Sequence, residues 1–327
     1  MSGKNEIEFA NFILRFGEET VLIDLVEEIV IPAFTEDLER SYKNAKHFFR
    51  NVEILNIGSK EDPIICIVGR YIKDTIVKRE QVFDKRSNKI IKNETSLPTA
   101  PSSVFILILN NHRLIYFNET AYAPSLSDFQ RTVEKFVVEK YKDFTNEGNL
   151  VYPNGDTYPD LKIIHLTSEG SISKFINQYS LLKTVKIELV TTNNELDNND
   201  FFAELRRMKE ETSSNTTTIT HNNKDGLCKN EVAKQLELAI IQGNSNVQLK
   251  GIDNNGNKLE GSNKNLKVGY KLREIPQSIL GIANKCYETF MQLVEEKTIR
   301  IGSTRDNTSE KIAKIVRNIN TNSKEIK

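Results

Sequence analysis

Tryptophan is missing from this chain altogether, and only three cysteines, Cys66, Cys228 and Cys286, stand among its 327 residues. They are odd in number, far apart and in no Cys-x-x-Cys arrangement, which gives no disulfide framework and suits a reducing cytosol. Cys66 lies inside "IICIV" and Cys286 on an apolar helix face, so both read as buried, inert thiols. Long apolar runs are also absent: the longest, "VFILIL" at 104–109, is far too short to cross a bilayer. The opening "MSGKNEIEFANF" carries acidic residues where a secretory segment would be uninterrupted and apolar, so a cytoplasmic protein is expected. Nor is there an excess of either charge, with 45 Lys+Arg against 45 Asp+Glu. Any electrostatic function therefore has to come from charge segregated locally. Abundant Asn, Lys and Ile point to an AT-rich bacterial or viral genome.

The motifs of common chemistries are missing too. There is no GxxxxGK[ST], no GxGxxG after a strand, no HExxH and no GxSxG. His47, His112, His165 and His221 each stand alone; His112 falls in an Asn-rich turn and is expected in solvent, while His165 in "IIHL" reads as a satisfied core histidine. The stretch "KGIDNNGNKLEGS" at 250–262 superficially suggests a calcium loop. Counted from Asp253, however, the glycine arrives too early, as Gly256, and Lys264 stands where the bidentate glutamate should be. Asn255-Gly256 between alternating flanks is instead the signature of a tight hairpin turn. A metal-dependent nuclease could be built only by forcing Asp74, Lys78 and Glu80 together, without the usual E-x-K order. The expectation is a binding protein, not an enzyme, with no cofactor and no metal.

The length suggests two domains, and the fold class expected is α+β. Residues 1–148 read as a sheet-rich domain, with strands at 7–16, 48–57, 63–72 and 75–83 and a helix or edge strand at 21–34. A polar "KNETSLPTAPSS" loop follows, and then "VFILILN" and "RLIYFNE" flank a second hairpin turn, "NNHR". Next comes a clear helix, capped by Ser125 with Asp128 in capping-box position, whose stripe is Leu126, Phe129, Val133, Phe136 or Val137, and Tyr141. Residues 149–297 alternate strands and helices as repeated β-α units and end in a long helix, with Pro276 placed in its first turn. Residues 298–327 lose apolar density and read as a basic flexible tail with one fragile helix at 309–319.

Positive charge gathers in "RYIKDTIVKREQVFDKRSNKIIK", residues 70–92, where eight cations face three anions. A strand–turn–strand with Lys78, Arg79, Lys85, Arg86, Lys89 and Lys92 towards its tip is a candidate phosphate-contacting finger. The competing reading is a solvated edge hairpin whose lysines discourage aggregation. Arg206, Arg207 and Lys209 have Glu204, Glu210 and Glu211 beside them and read as an ordinary helix surface. The terminal stretch, with Arg300, Arg305, Lys311, Lys314, Arg317, Lys324 and Lys327, could add sequence-independent affinity for nucleic acid or serve only as a solubilising end.

The order of elements in "SSVFILILNNHRLIYFNETAYAPSLSDFQRTVEKF", followed by the β-α region ending in "NVQLKGIDNNGNKLEGS" and the last helix "ILGIANKCYETFMQLVEEK", resembles the RexA-like family of phage-exclusion proteins. The likeness spans residues 100–297 and carries no diagnostic motif, so no DNA-contacting residue is transferred through it. It implies antiviral defence by a homodimeric, sequence-independent DNA-binding sensor that signals to a membrane-associated effector. The expectation is thus a cytosolic exclusion protein that binds nucleic acid, DNA in preference to RNA, with a nuclease or toxin subunit or a protein–protein scaffold as alternatives.

Overall fold

A computed structural model describes residues 4–17, 19–59, 61–146, 148, 158–193, 195, 199–214, 216–302 and 310–315, the side chains of 93 and 94 excepted. In chain order it runs β1 (Glu6–Phe16), β2 (Thr20–Val21), a 3-10 turn and a π turn over 22–30, α1 (Ile31–Thr35), β3 (Arg40–Tyr42), β4 (Ala45–Asn56), β5 (Ile65–Asp84), β6 (Lys89–Thr99), β7 (Ser102–Ile108), β8 (Arg113–Phe117) and α2 (Leu126–Asn146). There follow β9 (Asp160–His165), α3 (Glu169–Ile176), β10 (Tyr179–Leu189), α4 (Asp200–Glu211), β11 (Thr217–Asn222), α5 (Lys229–Ile240), β12 (Ser245–Asp253), β13 (Lys258–Ser262), α6 (Asn263–Leu266), β14 (Gly269–Lys271) and α7 (Ile279–Glu295). The fold is α+β.

A large antiparallel sheet is ordered β14-β1-β8-β7-β5-β4-β3, with β2 and β9 added along β1 and β6 along β5. Both of its faces are covered, which is why its central strands read as continuous apolar runs. The side chains alternate between two cores as the pleat requires. Ala10, Phe12, Leu14 and Phe16 of β1 and Phe105 and Leu107 of β7 face α1 and α2, while Ile7, Phe9, Val104 and Ile106 face α7. The expected stripe of α2 is buried, with Tyr141 half-buried beside it. Its start is held by a reciprocal pair, the Asp128 amide donating to Ser125 Oγ at 3.2 Å and the Ser125 amide to the Asp128 carboxylate at 3.2 Å. Pro276, however, lies before α7, which is capped by Ser278. The second sheet, β11-β10-β12-β13, is also antiparallel, and α3 and α5 cover one face. The hairpin at 250–262 turns where its chemistry indicated, with Asp253 Oδ1 accepting from the Asn255 and Asn257 amides and Gly256 at φ 82°.

Residues 310–315 are helical, and Ile312 and Ile315 are buried in the core beneath α1 and α2. Lys311 pairs with Asp24, Lys314 with Glu27 at 3.0 Å, and Arg300 with Glu169 at 2.7 Å. The remaining tail cations, Arg305, Arg317, Lys324 and Lys327, lie outside the described residues.

Cys66 and Cys286 are both fully enclosed, and burial pushes the Cys286 thiol up to about 12 and that of Cys66 higher. His165 is satisfied by Glu8 at 3.0 Å. His47 is buried against Tyr71, whose hydroxyl lies 2.8 Å from Nδ1. Burial, aided by the Arg40 charge, pushes the pKa of His47 down to about 4. The folded protein thus holds His47 neutral where the unfolded chain protonates it, and this stability is lost as pH falls from about 6.5 towards 4, at roughly 1.4 kcal/mol per pH unit. Urea midpoints measured at pH 7, 6 and 5 are expected to fall progressively. A flat profile over that range would contradict the enclosed, neutral imidazole.

Candidate nucleic-acid interface

The basic segment lies where the large sheet stops being a sheet. β5 is one unbroken strand in place of the two expected, and "KNETSLPT" is not a loop but part of its partner β6. As far as Ile72, β5 is flanked by both β4 and β7; its pairing with β4 ends at Thr75. Beyond that point only β6 accompanies it, from Thr75↔Thr99 to Asp84↔Lys89. Residues 76–84 therefore form, with β6, a two-stranded ribbon projecting roughly 30 Å at about 3.3 Å per residue. The sequence explains the departure, because "ICIVGRYI" has side chains for two cores whereas "KDTIVKREQVFD" does not.

The ribbon's turn is internally braced. Asp84 accepts from the Ser87 hydroxyl at 2.6 Å, the Arg86 amide at 3.0 Å and the Ser87 amide at 3.2 Å, and Asn88 takes a left-handed φ of 52°. Those hydrogen bonds, led by the Ser87 hydroxyl, hold the Asp84 carboxyl below the usual range. The one anion at the tip is thereby turned to its own backbone. Lys78, Arg79, Lys85, Arg86, Lys89 and Lys92 are all exposed, and none forms an ion pair among the described residues. Arg70, by contrast, is fixed at the root of the arm by Glu119 at 2.9 Å, with Ser102 donating to the same carboxylate. The free positive charge is therefore concentrated on the outer ribbon. The three residues considered for a nuclease do not assemble: Asp74 and Glu80 are six residues apart on one extended strand, roughly 20 Å, and cannot share a cation.

Another polar cluster, which sequence reasoning missed, joins the two sheets. Arg113 and Asn11 are cross-strand partners on β8 and β1. Both reach Glu195, Arg113 at 2.9 and 3.2 Å and Asn11 at 3.2 Å. Arg113 is 1% exposed and the Glu195 side chain fully buried, which makes this an ion pair sealed from water. His112, expected in solvent, is also fully enclosed, with neither ring nitrogen hydrogen-bonded among the described residues. Burial and the neighbouring Arg113 charge push its pKa down to about 3. The hairpin tip that would face water meets the second sheet's unit, where the Gln242 carbonyl accepts from Arg113. The helix surface at 206–209 divides in the same way. Arg207 stays outside, paired with Glu204 and Glu211, whereas Arg206 turns inward to the Val190 and Asn244 carbonyls and Lys209 to Thr191 Oγ1. His112 and Glu195 are both buried, and the contacts of Arg113 and Asn11 with Glu195 and with the Gln242 and Gly243 carbonyls link the two halves.

Among the described residues no three of His, Cys, Asp and Glu gather as a metal site requires, and no helix is long and apolar enough to cross a membrane. A search of curated proteins finds no match. A family model described as a domain of unknown function, DUF4747, matches residues 33–278. That span includes the whole ribbon, the sheet from β3 to β8, and the second sheet. It covers most of the chain, and this protein belongs to the DUF4747 family.

Proposed function

We propose that this protein binds duplex DNA through the phosphates, independently of sequence, by means of the ribbon at 76–92. The observation that carries the reading is six exposed cations, without ion pairs among the described residues, on an arm that projects clear of the sheet. A ribbon of two strands fits a duplex groove, and cations along it meet phosphates on either side. In this reading the chain binds and signals without catalysing, in the cytoplasm. Phage exclusion as the setting, a homodimer as the unit and a membrane-associated effector as the listener are supported by the RexA-like order of elements alone.

Six phosphate contacts give a log–log salt slope of roughly −5 and a loss of about a thousand-fold in affinity between 50 and 200 mM salt. Fluorescence anisotropy with several unrelated duplexes measures this. Salt-insensitive binding, or no binding at low salt, overturns the proposal.

A further inference from the structure

The ribbon exposes apolar side chains as well as cations, and the two most exposed face each other near its end. Phe83 is 59% and Ile90 68% exposed, and they are direct cross-strand partners. Single exposed apolar residues are ordinary. A phenyl ring beside a branched aliphatic chain at the end of a cationic arm, with no core to join, is a different matter. Strand alternation puts Arg79 on the Phe83 face and Lys92 on the Ile90 face. The register break sets residues 93 and 94 opposite Glu80, so the one surplus residue lies on β6 beyond Lys92 and both alternations are kept. Phe83, Ile90, Arg79 and Lys92 thus share one face of the ribbon, while Lys78 and Lys89 fall on the other.

We infer that Phe83 and Ile90 form a wedge that enters the base stack of a bound duplex and kinks it, an inference that rests on the DNA-binding reading above. The choice of occupant follows from charge. A second copy pairing arm to arm would bring together two ribbons each of net charge +3, six cations against Glu80, Asp84 and Glu94, whereas a duplex offers phosphates to the cations and base faces to the apolar pair. Inserting an apolar side chain into a base step unstacks it and bends the helix by roughly 20–90°. Flexible pyrimidine–purine steps are easiest to open, and a mismatched step is already partly open.

Two constructions test this. The chain has no tryptophan, so Phe83→Trp supplies a sole indole reporter. Expected is strong quenching and shielding from acrylamide on saturation with duplex. The second variant, Phe83→Thr with Ile90→Thr, keeps residues that favour strands and removes the apolar reach. It is expected to bind with an unchanged salt slope but to leave end-labelled DNA unbent by energy transfer. It should also lose a preference of about ten-fold for a centrally mismatched duplex over a matched one. Salt-dependent binding by the unmodified protein with straight DNA and an accessible indole overturns the wedge and leaves the phosphate reading standing. Absence of binding by the unmodified protein overturns both. A double variant that changes from dimer to monomer in sedimentation, with the bend intact, assigns the pair to self-association and also overturns the wedge.

Discussion

Reversing Lys85 and Arg86 to glutamate is expected to weaken duplex binding on the order of a hundred-fold at low salt, equally on every sequence. Both side chains are exposed at the ribbon's turn, so the change removes two phosphate contacts and sets two negative charges beside the backbone they met. The magnitude of the salt slope should fall by about 0.9 for each lost contact. Folding should be nearly untouched, because exposed cations at a hairpin end contribute little to stability. The brace of the turn is Asp84 with the Arg86 amide, which the substitution retains. Anisotropy titrations at several salt concentrations, alongside thermal melts, separate the outcomes. Loss confined to some sequences would mean that bases are read. Unchanged binding in a normally folded variant would remove the ribbon from the interface.

Glu195→Gln is expected to destabilise the fold by about 3–5 kcal/mol, the usual cost of leaving a buried charge without its partner. Arg113 keeps its carbonyl contacts to Asn111 and Gln242 at 3.3 and 3.4 Å, but these do not neutralise a guanidinium sealed from water. Replacing both members, Arg113→Met with Glu195→Met, is expected to recover most of that loss, since a buried ion pair and an apolar pair of similar volume are often close in stability. Urea unfolding of Arg113→Met, Glu195→Met and the double variant gives the coupling directly. If the double variant is as unstable as the single ones, the junction depends on more than charge pairing. DNA affinity should stay unchanged throughout, because the cluster lies on β1 and β8 and the ribbon leaves from β5.

Local chemistry was readable wherever neighbours in sequence are also partners in space. The Ser125–Asp128 cap, the Asn255-Gly256 turn and the apolar runs of β1 and β7 depend on residues a few positions apart, and each formed as its pattern indicated. The apolar surroundings of Cys66 and Cys286 likewise declared their burial. "KNETSLPT" is polar and contains a proline, so it reads as a loop; an exposed strand needs no apolar residues, and among the described residues β6 pairs with β5 alone. Pro98 can be accommodated there because β6 is an edge.

The sequence by itself determined the class of the fold, the Ser125–Asp128 cap, the Asn255-Gly256 turn and the gathering of cations at 70–92. Whether those cations would be free was decided only by tertiary structure. How far a ribbon projects depends on where β4 and β7 stop pairing with β5, and those ends are set by residues on other strands. Arg70, one of the eight cations, is taken by Glu119, which lies 49 positions away. The same physics hid the junction: Glu195 sits in a polar stretch that reads as loop, and Arg113 is 82 positions from it. Long-range pairing of this kind leaves no local periodicity, since each partner looks solvent-bound until the other half of the molecule covers it.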